Sequence, residues 1–234
     1  MKPAEYFQRT RDLTTAYFFV APVLAFYEIG ILLLGVDVRN GADVLLRSLF
    51  GLFGETAVIA FNLLLLLFAV FAGIQLVKRD QPVFVLLAPV VVESAIYSIF
   101  FAPAVLLLET RILQYLGPDG GQEVFLHVVL SAGAGVYEEI LFRLILVTSI
   151  LFLFERLVRL KKGVAMVLAV LISATLFSAF HHIGTYGEPF AMHPFLFRLV
   201  AGLLLSAIYL ARGLAVAVYT HTFYDVLVYL QQGA

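Results

Sequence analysis

The chain has no cysteine and no tryptophan, and charged side chains make up only 13% of its 234 residues. The absence of cysteine excludes disulfide bonds, thiolate metal sites and a thiol nucleophile. Without tryptophan, an interfacial aromatic belt has to be built from the 11 tyrosines and some of the 22 phenylalanines. Soluble domains carry roughly 25% charged residues, so an ordinary water-soluble fold is excluded. A net charge of −1 without a large basic patch argues against nucleic acid as a partner.

Apolar sequence is abundant instead, because 62% of the residues are hydrophobic. The apolar runs are long enough to cross a bilayer core of about 30 Å as helices, and no soluble domain fits between them. We therefore expect residues 1–234 to form one all-α domain, a polytopic transmembrane bundle of about seven to eight helices. The first run contains Glu28 and is too long for a signal-peptide core, which predicts an uncleaved helix. The predicted spans are Thr14–Val36, Thr56–Val77, Pro82–Leu108, Val124–Phe154, Gly163–Ile183, Phe195–Ala211 and Gly213–Leu230.

The fourth predicted span is too long for one straight crossing at about 1.5 Å per residue. Its stretch Ser131–Gly135 alternates small residues and predicts a kink or a break into two segments. With the amino terminus in the cytoplasm, ten Lys and Arg residues of the loops fall on the inner side and four on the outer side. This distribution predicts a cytoplasmic amino terminus and an outer carboxyl terminus in a cell membrane, the inner one if the source is bacterial. Two crossings in the fourth span would invert everything after it.

Ionisable side chains within the apolar runs gather in three short motifs. Such side chains are costly in hydrocarbon and mark functional or packing sites inside a bundle. Each motif alone has a structural explanation, as an ion pair, an interfacial histidine or a hydrogen bond between helices. Carboxylates and imidazoles on three different helices are together more than packing requires. The motifs are Tyr137-Glu-Glu-Ile-Leu-Phe-Arg143, Phe177-Ser-Ala-Phe-His-His182 and His221-Thr-Phe-Tyr-Asp225.

Spacing within the first motif separates its two glutamates. Glu139 and Arg143 are four residues apart, so they are neighbours on a helix and can form an ion pair. Glu138 projects roughly 100° away from Glu139 and is free of that partner. Gly135 lies one turn before both, which predicts that the backbone of another helix approaches closely there.

The histidine motifs leave one choice open. His221 and Asp225 are four residues apart, so the carboxylate can fix the tautomer and orientation of the imidazole. His181 and His182 are adjacent and diverge by about 100° on a helix, so only one of them can point into a given site. The sequence does not decide between these two.

The three motifs, in this order on separate transmembrane helices, resemble those of the CPBP intramembrane proteases (CAAX protease and bacteriocin-processing, or Abi, family). The family pattern is Glu-Glu-x-x-x-Arg, then Phe-x-x-x-His, then His-x-x-x-Asn/Asp, and the resemblance covers about residues 123–230 as a protease core. Many members carry asparagine where this chain has Asp225. The resemblance implies a glutamate-dependent endopeptidase that uses no metal and no other cofactor.

Roles for individual residues follow from the same resemblance. Glu138 is expected to act as the general base, while His181 holds and activates the water, with His182 as the alternative. His221 and Asp225 are expected to polarise the scissile carbonyl or stabilise its oxyanion. Glu139 and Arg143 are expected to be orienting or structural. The implied partners are the lipid bilayer and a membrane-anchored or membrane-inserted peptide; the predicted topology favours exported or membrane-anchored substrates over cytosolic prenylated tails.

Elementary chemistry agrees with this assignment but leaves a metalloprotease open. Peptide hydrolysis needs a base, a positioned water and a donor for the developing oxyanion. A serine nucleophile has no support, because the chain lacks Gly-x-Ser-x-Gly and a lysine deep in the apolar runs. Zinc remains an alternative, since Glu138, His181, His221 and Asp225 are all zinc-ligand types, although His-Glu-x-x-His is missing.

A non-enzymatic membrane protein, a transporter or an immunity-type binding protein, is the second alternative. Glu28, Asn62 and Glu93 place polar groups in the first three spans, as a proton or solute path requires. The two halves of the chain show no inverted or parallel repeat, which argues against a transporter.

Overall fold

The computed structural model describes residues 2–35, 38–80, 82–106, 121–184 and 187–232, and all of their side chains except those of Asn62, 102–106 and 231–232. Within these ranges the regular structure is helical, without a strand, which confirms the all-α prediction. The helix α6 (121–157) is one continuous helix assembled from Gly121–Gly133, Ala134–Val147, Thr148–Phe152 and Leu153–Leu157. The other helices are α1 (Pro3–Arg11), α2 (Leu13–Leu34), α3 (Gly41–Gly51), α4 (Glu55–Lys78), α5 (Val83–Leu106), α7 (Lys162–Phe180), α8 (Met192–Arg212) and α9 (Leu214–Gln232).

The long helices correspond to the predicted membrane spans. Among the described residues, five helices are long and apolar enough to cross a membrane, namely those in α2, α4, α5, α7 and α8. α9 contributes a shorter apolar stretch, Leu214–Leu230, and α6 is the longest helix of the bundle. A polytopic helical bundle is therefore confirmed. The predicted span ends Val36 and Leu108 lie outside the described residues.

Of the kink and the break that the small residues of the fourth span allow, the break does not occur in the structure. The backbone stays helical through Gly133, with φ −61° and ψ −45°, and through Thr148, with φ −64° and ψ −41°. In place of a break, the helix widens into π-helical turns from Ala134 to Val147. Long π-helical segments are rare, and single π turns are frequent at functional sites.

Side chains supply hydrogen bonds to the carbonyls of the widened segment. Ser173 on α7 donates from Oγ to the backbone oxygen of Phe142 at 2.7 Å. Within α6, Oγ1 of Thr148 lies 3.5 Å from the backbone oxygen of Arg143. Buried backbone oxygens need such partners, and their presence stabilises the wide turns.

Successive long helices run in opposite directions. At one end of the bundle, Arg11 donates to the backbone oxygen of Leu210 at 3.1 Å, and Arg79 pairs with Asp12 at 3.3 Å. These contacts bring together the start of α2 and the ends of α4 and α8. At the opposite end, the ring of His127 near the start of α6 stacks on Tyr229 near the end of α9, with centroids 4.0 Å apart.

The core of the bundle lies between α2, α5, α6 and α9. The first residues of α9, from Leu214 to Val218, are at most 2% exposed, so this helix is central. α4 lies at the periphery and exposes Leu66, Leu67 and Phe68. An exposed apolar surface of this kind suits a helix that faces hydrocarbon. Fully buried side chains of the core include Phe19, Val20, Tyr27, Leu86, Val90, Val129, Val136 and Val216.

Two short helices, α1 and α3, were not among the predicted spans because neither is a long apolar run. α1 is tied to the bundle by a cluster around Glu93, which accepts hydrogen bonds from Tyr6 at 2.7 Å and from Arg212 at 2.8 Å. α3 connects α2 to α4 at the opposite end. It begins after Asn40, whose side chain accepts the backbone N–H of Ala42 at 2.8 Å and so caps the helix.

Candidate active site

α6 and α9 are in backbone contact at Gly135, one turn before the paired glutamates. A Cβ atom placed on Gly135 would lie 2.0 Å from Oγ1 of Thr222 and 2.8 Å from the backbone oxygen of Val218. No side chain fits there, which confirms the close approach predicted from the sequence. The contact brings the first and third motifs together across two helices.

Glu139 is at the centre of a fully buried polar chain. Its Oε1 lies 2.9 Å from Nη1 of Arg143, so the predicted ion pair is present, and both side chains are 0% exposed. The same oxygen accepts a hydrogen bond from Nδ1 of His221 at 2.8 Å. The Arg143 guanidinium also lies over the ring of Phe177, 4.5 Å from its centroid. Glu139 therefore orients His221 as well as pairing with Arg143.

Glu138 has a different set of neighbours. Its Oε2 lies 3.9 Å from Nε2 of His221 and 4.0 Å from Nε2 of His181. Its Oε1 accepts a hydrogen bond from Nδ2 of Asn40 at 2.8 Å. The side chain is buried but borders a cavity. The two adjacent glutamates thus project to different partners, as their angular separation on the helix predicts.

The structure brings His181 to Glu138 and directs His182 elsewhere. Nδ1 of His181 donates to the backbone oxygen of Phe177 at 2.9 Å, which turns Nε2 toward the carboxylate. His182 lies on the other side of the helix end, where Nδ1 is 3.2 Å from the backbone oxygen of Glu188. Of the two adjacent histidines, His181 is therefore the one whose ring lies beside Glu138.

Asp225 completes the group from the next turn of α9. Its Oδ2 lies 3.5 Å from Nε2 of His221, and the carboxylate is 29% exposed toward the cavity. Nε2 of His221 therefore faces two carboxylates, Glu138 and Asp225, while Nδ1 is held by Glu139.

These groups border a cavity of about 560 Å³. One part of its wall is polar, with Glu138, His181, His221 and Asp225. Another part is aromatic and apolar, with Tyr224, Tyr229, Phe197 and Leu205 among the lining residues. Ligand pockets of about 300–1,000 Å³ commonly combine an apolar wall with a few convergent polar groups.

Asn40 is a site residue that the sequence analysis missed. It follows α2 and caps α3, yet its amide contacts a glutamate 98 residues further along the chain. Asparagine directly before Gly-Ala-Asp-Val is a recognisable helix-capping signal, which could have placed α3. The contact with Glu138 arises from tertiary packing and has no local signal.

An ion pair at the edge of the cavity joins Glu188, which precedes α8 in the chain, to Arg198 near the start of α8. Arg198 donates to Oε1 of Glu188 at 2.7 Å. Burial raises the pKa of the Glu188 carboxyl, but the hydrogen bond and the charge of Arg198 outweigh burial and hold that pKa below its usual range. Glu188 therefore stays ionised at neutral pH.

The two glutamates of the first spans, Glu28 and Glu93, are held in ion pairs and do not line the cavity themselves. Glu28 pairs with Arg47 at 2.8 Å, and Glu93 pairs with Arg212. These partners give both glutamates a packing role, which removes the observation that favoured a proton or solute path. The side chain of Asn62 lies outside the described part of the chain.

The described part of the chain does not show the arrangement of ligands that a zinc-dependent protease would need. Within that part, no group of three or more His, Cys, Asp or Glu side chains is placed to hold a metal ion. Glu138, His181, His221 and Asp225 do lie together, as residues of zinc-ligand type, but their donor atoms are already arranged around one another and around Asn40 and Glu139.

Glu138 therefore faces two imidazoles at the wall of a cavity, within a bundle of apolar helices. Residues 120–227 match the protein-family model described as type II CAAX prenyl endopeptidase Rce1-like. The matched segment contains all three motifs, and the match confirms the resemblance to the CPBP family. It supports an intramembrane endopeptidase, a hydrolase of peptide bonds. No curated protein sequence and no solved structure gives a significant match.

Proposed function

We propose that this protein hydrolyses a peptide bond in a membrane-associated peptide or protein tail with a water molecule activated by Glu138, without a metal. One observation carries the proposal: a single carboxylate oxygen, Oε2 of Glu138, faces Nε2 of His181 at 4.0 Å and Nε2 of His221 at 3.9 Å beside a cavity. These distances are too long for direct hydrogen bonds and suit a bridging water.

The hydrogen bonds of His181 define how the water would be held. The backbone oxygen of Phe177 can only accept, so Nδ1 of His181 carries the proton of the neutral ring and Nε2 presents a lone pair. A water between the two residues donates one hydrogen to Glu138 and the other to His181. Its own lone pair then points at the scissile carbon, and Glu138 takes the proton as the bond forms.

His221 and Asp225 serve the carbonyl side in this mechanism. The Glu139 carboxylate only accepts, so Nδ1 of His221 carries a proton. When Nε2 is also protonated, the ring is an imidazolium that can donate to the carbonyl oxygen and stabilise the developing oxyanion. Asp225, 3.5 Å from Nε2, balances that charge and keeps the ring in place.

The test is cleavage of a membrane-peptide library by the purified protein in detergent or lipid. Glu138→Gln is expected to lower kcat by about 10²- to 10⁴-fold, the usual contribution of a general base. His181→Ala is expected to lower kcat, while the matched control His182→Ala retains wild-type kcat because its ring faces away. Activity that survives in Glu138→Gln contradicts the assignment of the base.

A strong zinc chelator, added to each of these reactions, separates the two protease mechanisms. The glutamate mechanism predicts that wild-type activity is resistant to the chelator. Loss of activity with the chelator and its return on addition of zinc would replace the proposal with a zinc-dependent protease.

We further propose that the amino terminus is cytoplasmic and that the cavity lies toward the outer half of the membrane. This favours exported or membrane-anchored substrates over the prenylated tails that the description of the matched family names. Because the chain has no cysteine, single substitutions provide clean reporters. Ser48→Cys on α3 is expected to react with a membrane-impermeant maleimide added to intact cells, and Gln8→Cys on α1 only after lysis. The reverse pattern would place the cavity on the cytoplasmic side and favour prenylated tails.

A further inference from the structure

We propose that Asn40 is a positioning residue for Glu138, an inference that rests on the proposed function. Asn40 lies outside the segment 120–227 that matches the protease family. Its Nδ2 donates to Oε1 of Glu138 at 2.8 Å, so one carboxylate oxygen is occupied and the other, Oε2, is turned toward the two imidazoles. The amino-terminal half of the chain thereby supplies a part of the site.

The orientation of the Asn40 amide is fixed by the helix that it caps. Oδ1 accepts the backbone N–H of Ala42 at 2.8 Å, as the first hydrogen bond of α3. Because that atom has to be the acceptor, the NH₂ group necessarily faces Glu138. One side chain thus starts a helix with its oxygen and holds the carboxylate with its nitrogen.

The backbone of Asn40 is itself anchored in a buried network. Its N–H donates to Oη of Tyr27 at 3.1 Å, and that hydroxyl donates to Oδ2 of Asp43 at 2.9 Å. Asp43 is 0% exposed and pairs with Arg39 at 2.9 Å and with Arg47. A donor held from several sides positions its acceptor more tightly than a donor on a mobile loop.

A neutral donor suits this position chemically. Glu139 is paired with the Arg143 cation and is fixed as a carboxylate in an ion pair. Asn40 carries no formal charge, so it holds Glu138 in place without neutralising the negative charge that has to accept a proton. Asn40 is therefore placed to set the orientation of the base while leaving its basicity available.

Serine at position 40 separates the positioning role from the capping role. Asn40→Ser keeps a side chain that caps helices well but is too short to reach Glu138. We expect kcat to fall by about 10- to 100-fold, the effect of one lost hydrogen bond to a charged group, with KM close to the wild-type value. Asn40→Asp also keeps the cap but replaces the donor with a second carboxylate, so its loss of kcat is expected to be larger. Ser48→Ala, on the same helix and away from Glu138, is the control with wild-type kcat.

Two outcomes overturn the proposal, and each is distinct from a failure of the proposed function. Wild-type kcat in Asn40→Ser, while Glu138→Ala is inactive, would reduce Asn40 to a helix cap and leave the glutamate mechanism intact. Activity that survives in Glu138→Ala would instead contradict the proposed function. Thermal unfolding tests the contact between Asn40 and Glu138 independently of any activity assay. Asn40→Ser should lower the unfolding temperature less in the Glu138→Ala background than in wild type. Equal shifts in both backgrounds would also overturn the proposal.

Discussion

The contact at Gly135 sets the distance between two helices that carry the candidate active site, and Gly135→Ala tests this directly. α6 carries Glu138 and α9 carries His221 and Asp225. The new Cβ would lie 2.0 Å from Oγ1 of Thr222, a contact that rotation of that side chain can relieve. It would also lie 2.8 Å from the backbone oxygen of Val218, which cannot rotate away.

The size of the effect follows from that second contact. Ordinary contacts of a Cβ atom begin near 3.4 Å, so the two backbones must separate by roughly 0.6 Å at this point. Overpacking of this kind typically costs about 1–3 kcal/mol of stability. The gap of 3.9 Å between Glu138 and His221 would widen by a comparable amount. Since a misplacement of about 1 Å can cost on the order of 10²-fold in rate, we expect kcat/KM to fall at least about tenfold.

The assay measures kcat/KM for the best substrate of the peptide library together with the unfolding temperature of the same preparation. Gly163→Ala is the matched control, because no atom lies within 4 Å of the corresponding Cβ at the start of α7. Adding Thr222→Ala to Gly135→Ala should recover only part of the loss, since the Val218 oxygen remains. If Gly135→Ala matches Gly163→Ala in both measurements, the reasoning from backbone contact to site geometry is refuted.

Two further predictions concern charges around the site. Arg143→Leu leaves the Glu139 carboxylate buried without its cation and is expected to lower the free energy of unfolding by about 3–5 kcal/mol. The double variant Arg143→Leu/Glu139→Leu should be more stable than Arg143→Leu alone. Denaturant unfolding in detergent measures both variants, and an Arg143→Leu variant as stable as wild type would show that the ion pair contributes nothing. The Glu188–Arg198 pair should stabilise the fold above the ordinary carboxyl pKa of about 4.3 and lose that contribution as pH falls through the lowered pKa. Because Glu188 is 54% exposed, its contribution is below about 1 kcal/mol. The unfolding curves of wild type and Glu188→Gln should therefore differ slightly at pH 7 and converge as the pH falls through the lowered pKa of Glu188, and a gap that grows on acidification would contradict the assignment.

The positions of the membrane spans could be predicted from the sequence, because a span is recognised by the apolar composition and the length of one continuous segment. The α2 and α7 helices begin and end within three residues of the predicted spans. α3 could not be found in the same way, because a short helix with Asp43 and Arg47 on it has no long apolar run. The continuity of α6 could not be decided from the sequence, because small residues at 131–135 permit a kink or a break as well as the close helix contact that the structure shows.

Within the site, local spacing predicted the contacts that form inside one helix and could not predict those between helices. The pairs Glu139–Arg143 and His221–Asp225 are each four residues apart and lie close together as expected. The hydrogen bond from His221 to Glu139 joins two residues 82 positions apart in the chain, on two different helices, and it shows which imidazole Glu139 contacts. Such contacts depend on helix packing, which spacing along one helix does not encode.

The distribution of partners, more than residue type, distinguishes the two adjacent glutamates. A carboxylate among apolar helices has to be compensated, and one oxygen of Glu139 is held by both Arg143 at 2.9 Å and His221 at 2.8 Å. Glu138 has one neutral donor on Oε1, and its Oε2 faces a cavity with imidazoles at a water-bridging distance. A general base has to gain and release a proton in every turnover, so the carboxylate that is not bound to an arginine is the one that suits that step.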